Sequence, residues 1–430
     1  MATYYLWTVG CQMNVADSER LGAHLESLGY TQSPTAEAAD IVVVNSCVVR
    51  QHAEDRVANK LHALRPTKAA RPNQVIALMG CMVGPRTEEL KKRFPQVDVF
   101  MRPQVYEPLL EIAHRRATGE GCAPADFALP VTGPTAFIPI IHGCDNFCTF
   151  CIVPYRRGRE VSRPIDELVR DMEGLVQRGV KEVTLLGQKV DSYGLDFNDG
   201  TDLADLLVAV NAVDGLERIR FLTSFPLGVT DKLIDAVARL DKVCEHINIP
   251  VQSGDDDVLE RMHRGYDVQT YRDRIRRIRA GIPNVTLSTD VIVGFCGETE
   301  SEFQRTLDLL AETRFDVVHV AAYSLRQGTI AARTMADDVP PDEKKARLKR
   351  VEQLQETIAR ELNAPLLSQE IEVLVEGQKD GRWEGRSRTN KLVHFASARL
   401  RRVDLRGELA TVKVTSTSPW SLQGELMAVG

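Results

Sequence analysis

Apolar positions along this chain fall into short runs separated by longer stretches of helical spacing. Residues 4–9, 41–44 and 75–79 are dominated by β-branched, aromatic and long apolar side chains, the make-up of buried strands. Between them, residues 17–28 and 50–64 place apolar side chains at helical intervals. Asp17 or Ser18 serves as the cap of the first helix and Gly29 as its stop, and Pro66 ends the second. Strand, helix, strand, helix, strand in that order predicts a parallel, doubly wound sheet with helices on its faces.

Residues 119–134, interspersed with Gly, Ala and Pro, read as a linker. A second series follows. Strands are expected at 136–141, 182–186, 219–222, 244–249, 285–293 and 317–322, with helices at 165–178, 203–213, 231–240, 271–280 and 302–314. Six tandem βα units predict a partial (β/α)6 TIM-like barrel, since a complete one needs eight. A long charged helix at 341–363 leads into a tail rich in Val, Leu, Thr and Gly. Its alternating runs at 370–375, 392–395 and 410–415 predict a small antiparallel β-barrel. The expected domains are 1–118, a linker at 119–134, 135–362 and 363–430.

Composition adds bounds. The 430 residues are 43% hydrophobic and 27% charged, as in ordinary globular proteins. The first residues lack a basic stretch followed by an apolar core, and no apolar run is long enough to span a bilayer, so a cytoplasmic location without membrane attachment is expected. The net charge of −6 gives no global nucleic-acid signal, so RNA affinity must come from local patches. Nine cysteines are odd in number and too sparse for a disulfide scaffold, which favours metal binding by clustered thiols.

The cysteines are not scattered. Cys11, Cys47 and Cys81 each follow one of the first three strands. In a parallel sheet those strand ends share one edge, where open α/β sheets bind ligands. Topology would therefore gather three thiols distant in sequence, as an iron–sulfur site; three inert buried cysteines are the alternative. Cys144, Cys148 and Cys151 sit in the run His142-Gly-Cys-Asp-Asn-Phe-Cys-Thr-Phe-Cys-Ile152, directly after the first strand of the second series. On a barrel this is the carboxyl mouth. A structural zinc site is closed by four ligands, and no fourth Cys or His follows at zinc spacing. A [4Fe–4S] cluster held by three thiolates keeps one iron open. Cys122, Cys244 and Cys296 read as structural bystanders.

The Cys-x3-Cys-x-Phe-Cys run resembles the signature of the radical S-adenosylmethionine (SAM) superfamily. Thr8-Val-Gly-Cys-Gln-Met-Asn14 with Asp17-Ser-Glu19, Val44-Asn-Ser-Cys-Val-Val-Arg50 and Met79-Gly-Cys81 resemble the amino-terminal domain of the methylthiotransferases. Gly143 to Glu160 is similar to that family's radical SAM loop, and Leu186-Gly-Gln188, Pro250-Val-Gln-Ser-Gly254 and Asp290 to Thr299 match further along. The run Trp383 to Phe395 resembles its RNA-binding TRAM domain. The resemblance covers nearly the whole chain and fits best the tRNA branch called MiaB. It departs at Lys189 and Asp191, where asparagines are expected, and at Cys296, where proline is usual.

The resemblance implies two [4Fe–4S] clusters, one on Cys144, Cys148 and Cys151 that binds SAM and one on Cys11, Cys47 and Cys81 that presents sulfur. It also implies a flavodoxin-like electron donor and a tRNA carrying N6-dimethylallyladenosine, converted beside the anticodon to its 2-methylthio form. The C2–H bond of adenine is neither acidic nor electrophilic, so a cofactor must supply radical chemistry there.

Polar residues at the expected strand ends are SAM-site candidates: Gly187, Gln188, Asn248, Gln252, Ser253 and Asp290, with turn or cap roles as the plain alternative. Gly294 and Gly297 offer close backbone approach. For RNA the candidates are Arg156, Arg157 and Arg159 after the cluster loop. In the tail, Arg382, Arg386, Arg388, Lys391, Arg399, Arg401 and Arg402 are opposed only by Glu384, with Trp383 and Phe395 as stacking surfaces. The target base must leave its stack to be modified. A methylthiotransferase for threonylcarbamoyladenosine in tRNA or for a ribosomal-protein aspartate is the near alternative. A non-catalytic iron–sulfur RNA-binding or sensor protein is the alternative of another class.

Overall fold

The computed structural model describes residues 2–48, 51–118, 133–396 and 403–430. The chain divides into two compact units. One comprises Met1–Pro130, His142–Val161 and Arg326–Arg333, and the other Val131–Ile141, Ser162–Leu325 and Thr334–Gly430. The loop bearing Cys144, Cys148 and Cys151, grouped with the central domain by its sequence, thus belongs by its contacts with the amino-terminal segment.

The first unit is built on a five-stranded sheet ordered Thr31–Gln32, Thr3–Thr8, Ile41–Ser46, Val75–Gly80 and Val99–Met101. Every pairing is parallel. The two central strands are buried on both faces, which requires near-continuous apolar runs. Val42, Val44, Ile76 and Leu78 enter one core, while Ile41, Val43, Ala77 and Met79 enter another across the sheet. The sheet is therefore doubly wound. Strand order reverses between Thr3–Thr8 and Ile41–Ser46, the position where such sheets bind ligands outside their carboxyl ends.

The first helix runs Gln12–Ser27 and starts at Cys11, not at Asp17 or Ser18. Both of those side chains lie inside the helix and are buried, because each has a polar partner within the unit: Arg157 for Asp17, Thr8 and Asn45 for Ser18. Pro66 opens a further short helix, Arg65–Ala70, after Gln51–Ala63 ends.

The second unit carries two three-stranded parallel arcs. The first joins Arg218–Phe221, Glu182–Leu186 and Thr135–Pro139; the second joins His246–Asn248, Thr286–Val293 and Val317–Ala322. A parallel bridge between Ile219 and Val243 links them. Helices such as Leu203–Asn211 and Glu300–Thr313 start at reciprocal capping boxes on Asp202 and Thr299. The charged helix Pro341–Asn363 leads to a closed five-stranded barrel formed by Glu370–Lys379, Arg382–Ser387, Leu392–Ala396, Leu422–Val429 and Leu409–Thr417. Its pairings are antiparallel except one: Leu392–Ala396 runs parallel to Leu422–Val429, so the barrel is mixed. No helix among the described residues is long and apolar enough to cross a membrane.

Candidate functional site

The register sets the first thiol group. Thr8 lies opposite Asn45, and Ser46 opposite Gly80, so the three strands end nearly level. Cys47 and Cys81 each come one residue after a strand and are buried, whereas Cys11 is exposed at the start of its helix. Gly10 is at φ +146°, and a Cβ there would sit 3.0 Å from the Cys47 Cβ and 2.7 Å from Asn14 Oδ1. Only glycine lets these loops approach so closely.

Polar side chains tie the loops together. Asn14 Nδ2 donates to Asn45 Oδ1 at 3.0 Å and to the Ser46 carbonyl at 2.9 Å. Asn45 Nδ2 donates back to the Asn14 carbonyl at 2.7 Å. Ser46 Oγ donates to the Met79 carbonyl at 2.6 Å and accepts from Met82 N at 3.2 Å. The Cys11 thiol donates to Asn14 Oδ1 at 3.4 Å. Burial pushes the Cys81 thiol up to about 11, Arg157 opposes this, and the nearby Cys47 and Cys11 add to it. Cys81 thus lies near enough to both Cys47 and Cys11 for their charge to raise it.

The second thiol group lies in the same compact unit. Cys144 and Cys148 are buried and Cys151 half-buried. Cys144 N donates to the Gly158 carbonyl at 3.1 Å and Cys151 N to the Cys148 carbonyl at 3.0 Å, curling the loop on itself. Asp145 closes its base through an ion pair with Arg159 at 2.7 Å and through the Glu160 amide at 3.3 Å. The helix Val153–Arg157 follows at once. Ile152 enters the same apolar core as Cys81, Met82 and Val83, with Tyr155 packed against it. Arg157 reaches Asp17 at 3.1 Å, and both side chains are buried.

Each group offers three thiols, the donor number with which a [4Fe–4S] cluster keeps one iron open. The first group also faces the amino end of the helix Gln12–Ser27, which favours an anionic group.

Strand ends of the second unit hold the other candidates. Asn248 is buried, accepts from Thr223 N at 3.1 Å, and donates to Ser288 Oγ at 3.1 Å and Asp290 Oδ2 at 3.3 Å. Asn248 and Asp290 are thus brought together. Gln252 sits at φ +75° and ladders to Asp290 and Ile292 through its backbone, and Gln188 is half-buried. Gly187 packs on Ile141 and Val190, leaving no room for a side chain. Ser253 is a correction: it is wholly buried and bonded to Thr306 and the Asp255 amide, so it fixes a turn and offers nothing to a nucleoside.

Sequence reasoning missed the group around Phe225. Lys189 and Arg264 lie 5.3 and 4.9 Å from its ring centre, and Tyr266 donates to the Val251 carbonyl at 2.8 Å. Asp191 accepts from Phe225 N at 2.6 Å and so holds that loop.

With this geometry in view, the comparisons are specific. Residues 3–102 match the uncharacterized protein family UPF0004, 138–310 the Radical SAM superfamily, and 367–427 the TRAM domain. The tRNA-2-methylthio-N(6)-dimethylallyladenosine synthase of Dehalococcoides mccartyi is 49% identical over 430 residues, covering 100% of this chain and 99% of that protein. The protein of the same name from Chloroflexus aurantiacus is 48% identical, covering 98% and 91%. The chain belongs to the tRNA-2-methylthio-N(6)-dimethylallyladenosine synthase family. Among solved structures, the radical SAM methyltransferase TsrM of Kitasatospora setae, with cobalamin and a [4Fe–4S] cluster bound, shares the fold. Its TM-score is 0.57 at 14% identity, covering 77% of each chain. Membership in the radical SAM superfamily brings a [4Fe–4S] cluster and SAM.

The TRAM barrel of this family member corrects several RNA candidates. Phe395 is 1% exposed, and both it and Trp383 fill the barrel core with Val373, Val393 and Val412, so neither presents a ring for stacking. The turn after Arg382–Ser387 docks on the amino ends of the barrel strands. Arg218 Nη1 donates to the Arg386 carbonyl at 2.6 Å, while Arg220 reaches the carbonyls of Arg388 and Ser387 at 2.8 and 2.7 Å. Arg388 pairs with Glu245 and Lys391 with Asp316, each at 2.6 Å. Those two cations are spent on docking. Arg386 keeps a partly exposed guanidinium 3.6 Å from Glu376. After the cluster loop, Arg157 is buried against Asp17 and is not an RNA contact, Arg156 is half-buried, and Arg159 is exposed on Asp145. Arg399, Arg401, Arg402 and Cys122 lie outside the described residues.

Proposed function

We propose that this chain inserts sulfur at C2 of N6-dimethylallyladenosine next to the anticodon of tRNA (adenosine 37) and methylates it to the 2-methylthio product. The observation that carries the reading is the convergence of two three-thiol groups within one compact unit. When bound, the two [4Fe–4S] clusters and SAM supply the radical that takes hydrogen from C2, the sulfur, and the methyl group.

The residues of the chain hold and exclude. Cys144, Cys148 and Cys151 would hold the SAM-binding cluster and Cys11, Cys47 and Cys81 the second one, each leaving one iron without a protein ligand. Asn14, Asn45 and Ser46 fix the loops of the second cluster by the bonds described above. Gln188, Asn248, Gln252 and Asp290 offer polar groups for SAM at strand carboxyl ends. Among the described residues, Arg159, Arg382 and Arg386 keep exposed or partly exposed cations suited to RNA phosphate. A flavodoxin-like protein is the expected reductant, in the cytoplasm.

Anaerobic reconstitution tests the reading. The wild-type protein should bind about eight iron atoms per chain, and the triple Cys11/Cys47/Cys81→Ala variant about four. Iron content equal to wild type in that variant would defeat the second cluster. The curated relatives carry the dimethylallyladenosine name, which favours this substrate over threonylcarbamoyladenosine or a ribosomal-protein aspartate. Nucleoside mass spectrometry on tRNA from a deletion strain separates these, since persistence of the 2-methylthio-dimethylallyl nucleoside rules out the assignment.

A further inference from the structure

Lys189 stands directly after Gln188, beyond the carboxyl end of the strand Glu182–Leu186, on the side of a barrel that receives ligands. Asparagine is the residue expected there from the resemblance, so the positive charge is an addition of this chain. Its Nζ lies 5.3 Å from the centre of the Phe225 ring, in the loop after the neighbouring strand Arg218–Phe221. Two bonds join these loops. Val190 N donates to the Thr223 carbonyl at 3.1 Å, and Phe225 N to Asp191 Oδ1 at 2.6 Å. A Cβ on Gly228 would collide with Asp191 Oδ2, so the loop of Phe225 closes tightly over that carboxylate.

Arg264 comes to the same ring at 4.9 Å from a third loop, past the helix Asp256–Arg261. It is buried, and its guanidinium donates to the Pro250 carbonyl at 3.1 Å and the Tyr266 hydroxyl at 3.2 Å. Lys189 differs. It is half-buried, and among the described residues it forms no ion pair. A cation over an aromatic ring at a partly exposed site gains only about 0.5–1 kcal/mol. Two cations on one ring also repel each other. Folding alone does not require this arrangement, and an arriving anion would relieve it. A lysine ammonium is a compact point charge suited to phosphate. A base that leaves its stack to enter the mouth draws its own phosphates along with it.

We propose that Lys189 binds a backbone phosphate at or beside the tRNA nucleotide that enters the barrel mouth, with Phe225 as the surface on which the ammonium rests, an assignment that rests on the tRNA reading above. Lys189 then belongs to substrate binding and takes no part in bond making. The carboxylate of SAM is the other anion that reaches this mouth, and binding measurements separate the two.

Lys189→Asn installs the residue expected from the resemblance, and Lys189→Arg keeps the charge. Both are compared with wild type as reconstituted holoenzymes. Affinity for an anticodon stem-loop RNA carrying N6-dimethylallyladenosine is measured by fluorescence anisotropy between about 50 and 200 mM salt. Lys189→Asn should lose about 0.7–0.9 from the slope of log K against log salt, the signature of one phosphate contact. Its affinity should fall about two- to fivefold. Its KM for tRNA should rise with kcat retained. Lys189→Arg should keep the wild-type slope.

An unchanged slope in Lys189→Asn overturns the proposal. So does a rise in KM for SAM with RNA affinity unchanged, which assigns the lysine to the SAM carboxylate. Equal losses of slope in Lys189→Asn and Lys189→Arg overturn it too, because packing on Phe225 and not charge then carries the effect. A wild-type holoenzyme that cleaves SAM yet forms no 2-methylthio product on dimethylallylated tRNA defeats the tRNA reading, and the proposal with it.

Discussion

Asn14 donates from Nδ2 to the carbonyl of Ser46 at 2.9 Å, joining the loop of Cys11 to the loop of Cys47. The same amide nitrogen reaches Asn45 Oδ1, and all three residues are buried. Removing the Asn14 side chain strands the buried Asn45 Oδ1, at a cost of roughly 1–3 kcal/mol, while the Ser46 carbonyl keeps the Cys81 amide as donor. Asn14→Ala is therefore expected to lower the unfolding temperature. It should also reduce iron bound after anaerobic reconstitution, in the background where Cys144, Cys148 and Cys151 are alanine. Unchanged iron there would show that the thiols hold their places without this network.

The docking of the TRAM turn separates stability from RNA affinity. Arg220 is buried, ion-paired with buried Glu182 at 3.0 Å, and bonded to two carbonyls of the turn. Arg220→Met leaves the Glu182 charge uncompensated, at an expected cost of about 3–5 kcal/mol. Arg388→Ala removes a half-exposed pair with Glu245 and should cost only about 1 kcal/mol. Denaturant unfolding measures both. Arg388→Ala is also expected to leave tRNA affinity within about twofold, because its charge is already paired with Glu245. A large loss of affinity in a stably folded Arg388→Ala protein would return this residue to the RNA surface.

Phe395 gives a third outcome. Its ring is 1% exposed among Val393, Val412 and Leu422. Phe395→Ala should destabilise the barrel by about 3–5 kcal/mol. A volume-sparing Phe395→Leu should bind tRNA like wild type. Loss of RNA binding by Phe395→Leu with an unchanged unfolding curve would mean the ring does meet the nucleic acid.

Some of this was written in the sequence and some could not be. The gathering of Cys11, Cys47 and Cys81 followed from strand ends alone, because a parallel sheet fixes which edge its carboxyl ends share. Burial of Phe395 was also legible: it lies two residues from Val393 on the same face of the strand Leu392–Ala396, and one face of a small closed barrel must be core. The charge count of the tail obscured that parity. The partners of Arg388 and Lys391 lie 143 and 75 residues away, and no local pattern announces such pairs. The start of the first helix was hidden for another reason. Cys11 occupies the cap position without a side-chain cap bond, so the usual Ser, Thr, Asp or Asn signal is missing there. Asp17 and Ser18 carried that signal six and seven residues late because they serve other bonds.

His246 supplies a pH dependence. It is buried with Nε2 at 3.2 Å from Ser288 Oγ, and burial, then Arg220 and neighbouring cations, push its pKa down to about 3. The folded chain thus keeps this ring neutral while the unfolded chain protonates it near 6.5. Its contribution to stability is complete above 6.5 and is lost as pH falls from there toward 3, by at most about 1.4 kcal/mol per pH unit. His246→Gln should flatten the decline in urea-unfolding free energy between pH 7 and 5 relative to wild type. Parallel pH profiles for the two proteins would show that the ring titrates alike in both states.

Cys244 offers the control that separates thiol burial from thiol function. It is as buried as Cys47 and Cys81 and stands just before the strand His246–Asn248, at the amino end of the barrel strands. Its thiol is pushed up by burial, with Arg220 opposing. Topology places it away from any carboxyl edge, which is where ligands of parallel sheets collect. Cys244→Ala should retain wild-type iron, wild-type SAM cleavage by the reduced protein and wild-type 2-methylthio formation on dimethylallylated tRNA, with a small loss of stability for the removed sulfur. Cys81→Ala, a substitution of the same size at the same burial, should lose iron and the 2-methylthio product while the Cys144, Cys148 and Cys151 site still cleaves SAM. Equal behaviour of the two variants would mean that position at the strand end does not distinguish a ligand from a packing thiol in this chain.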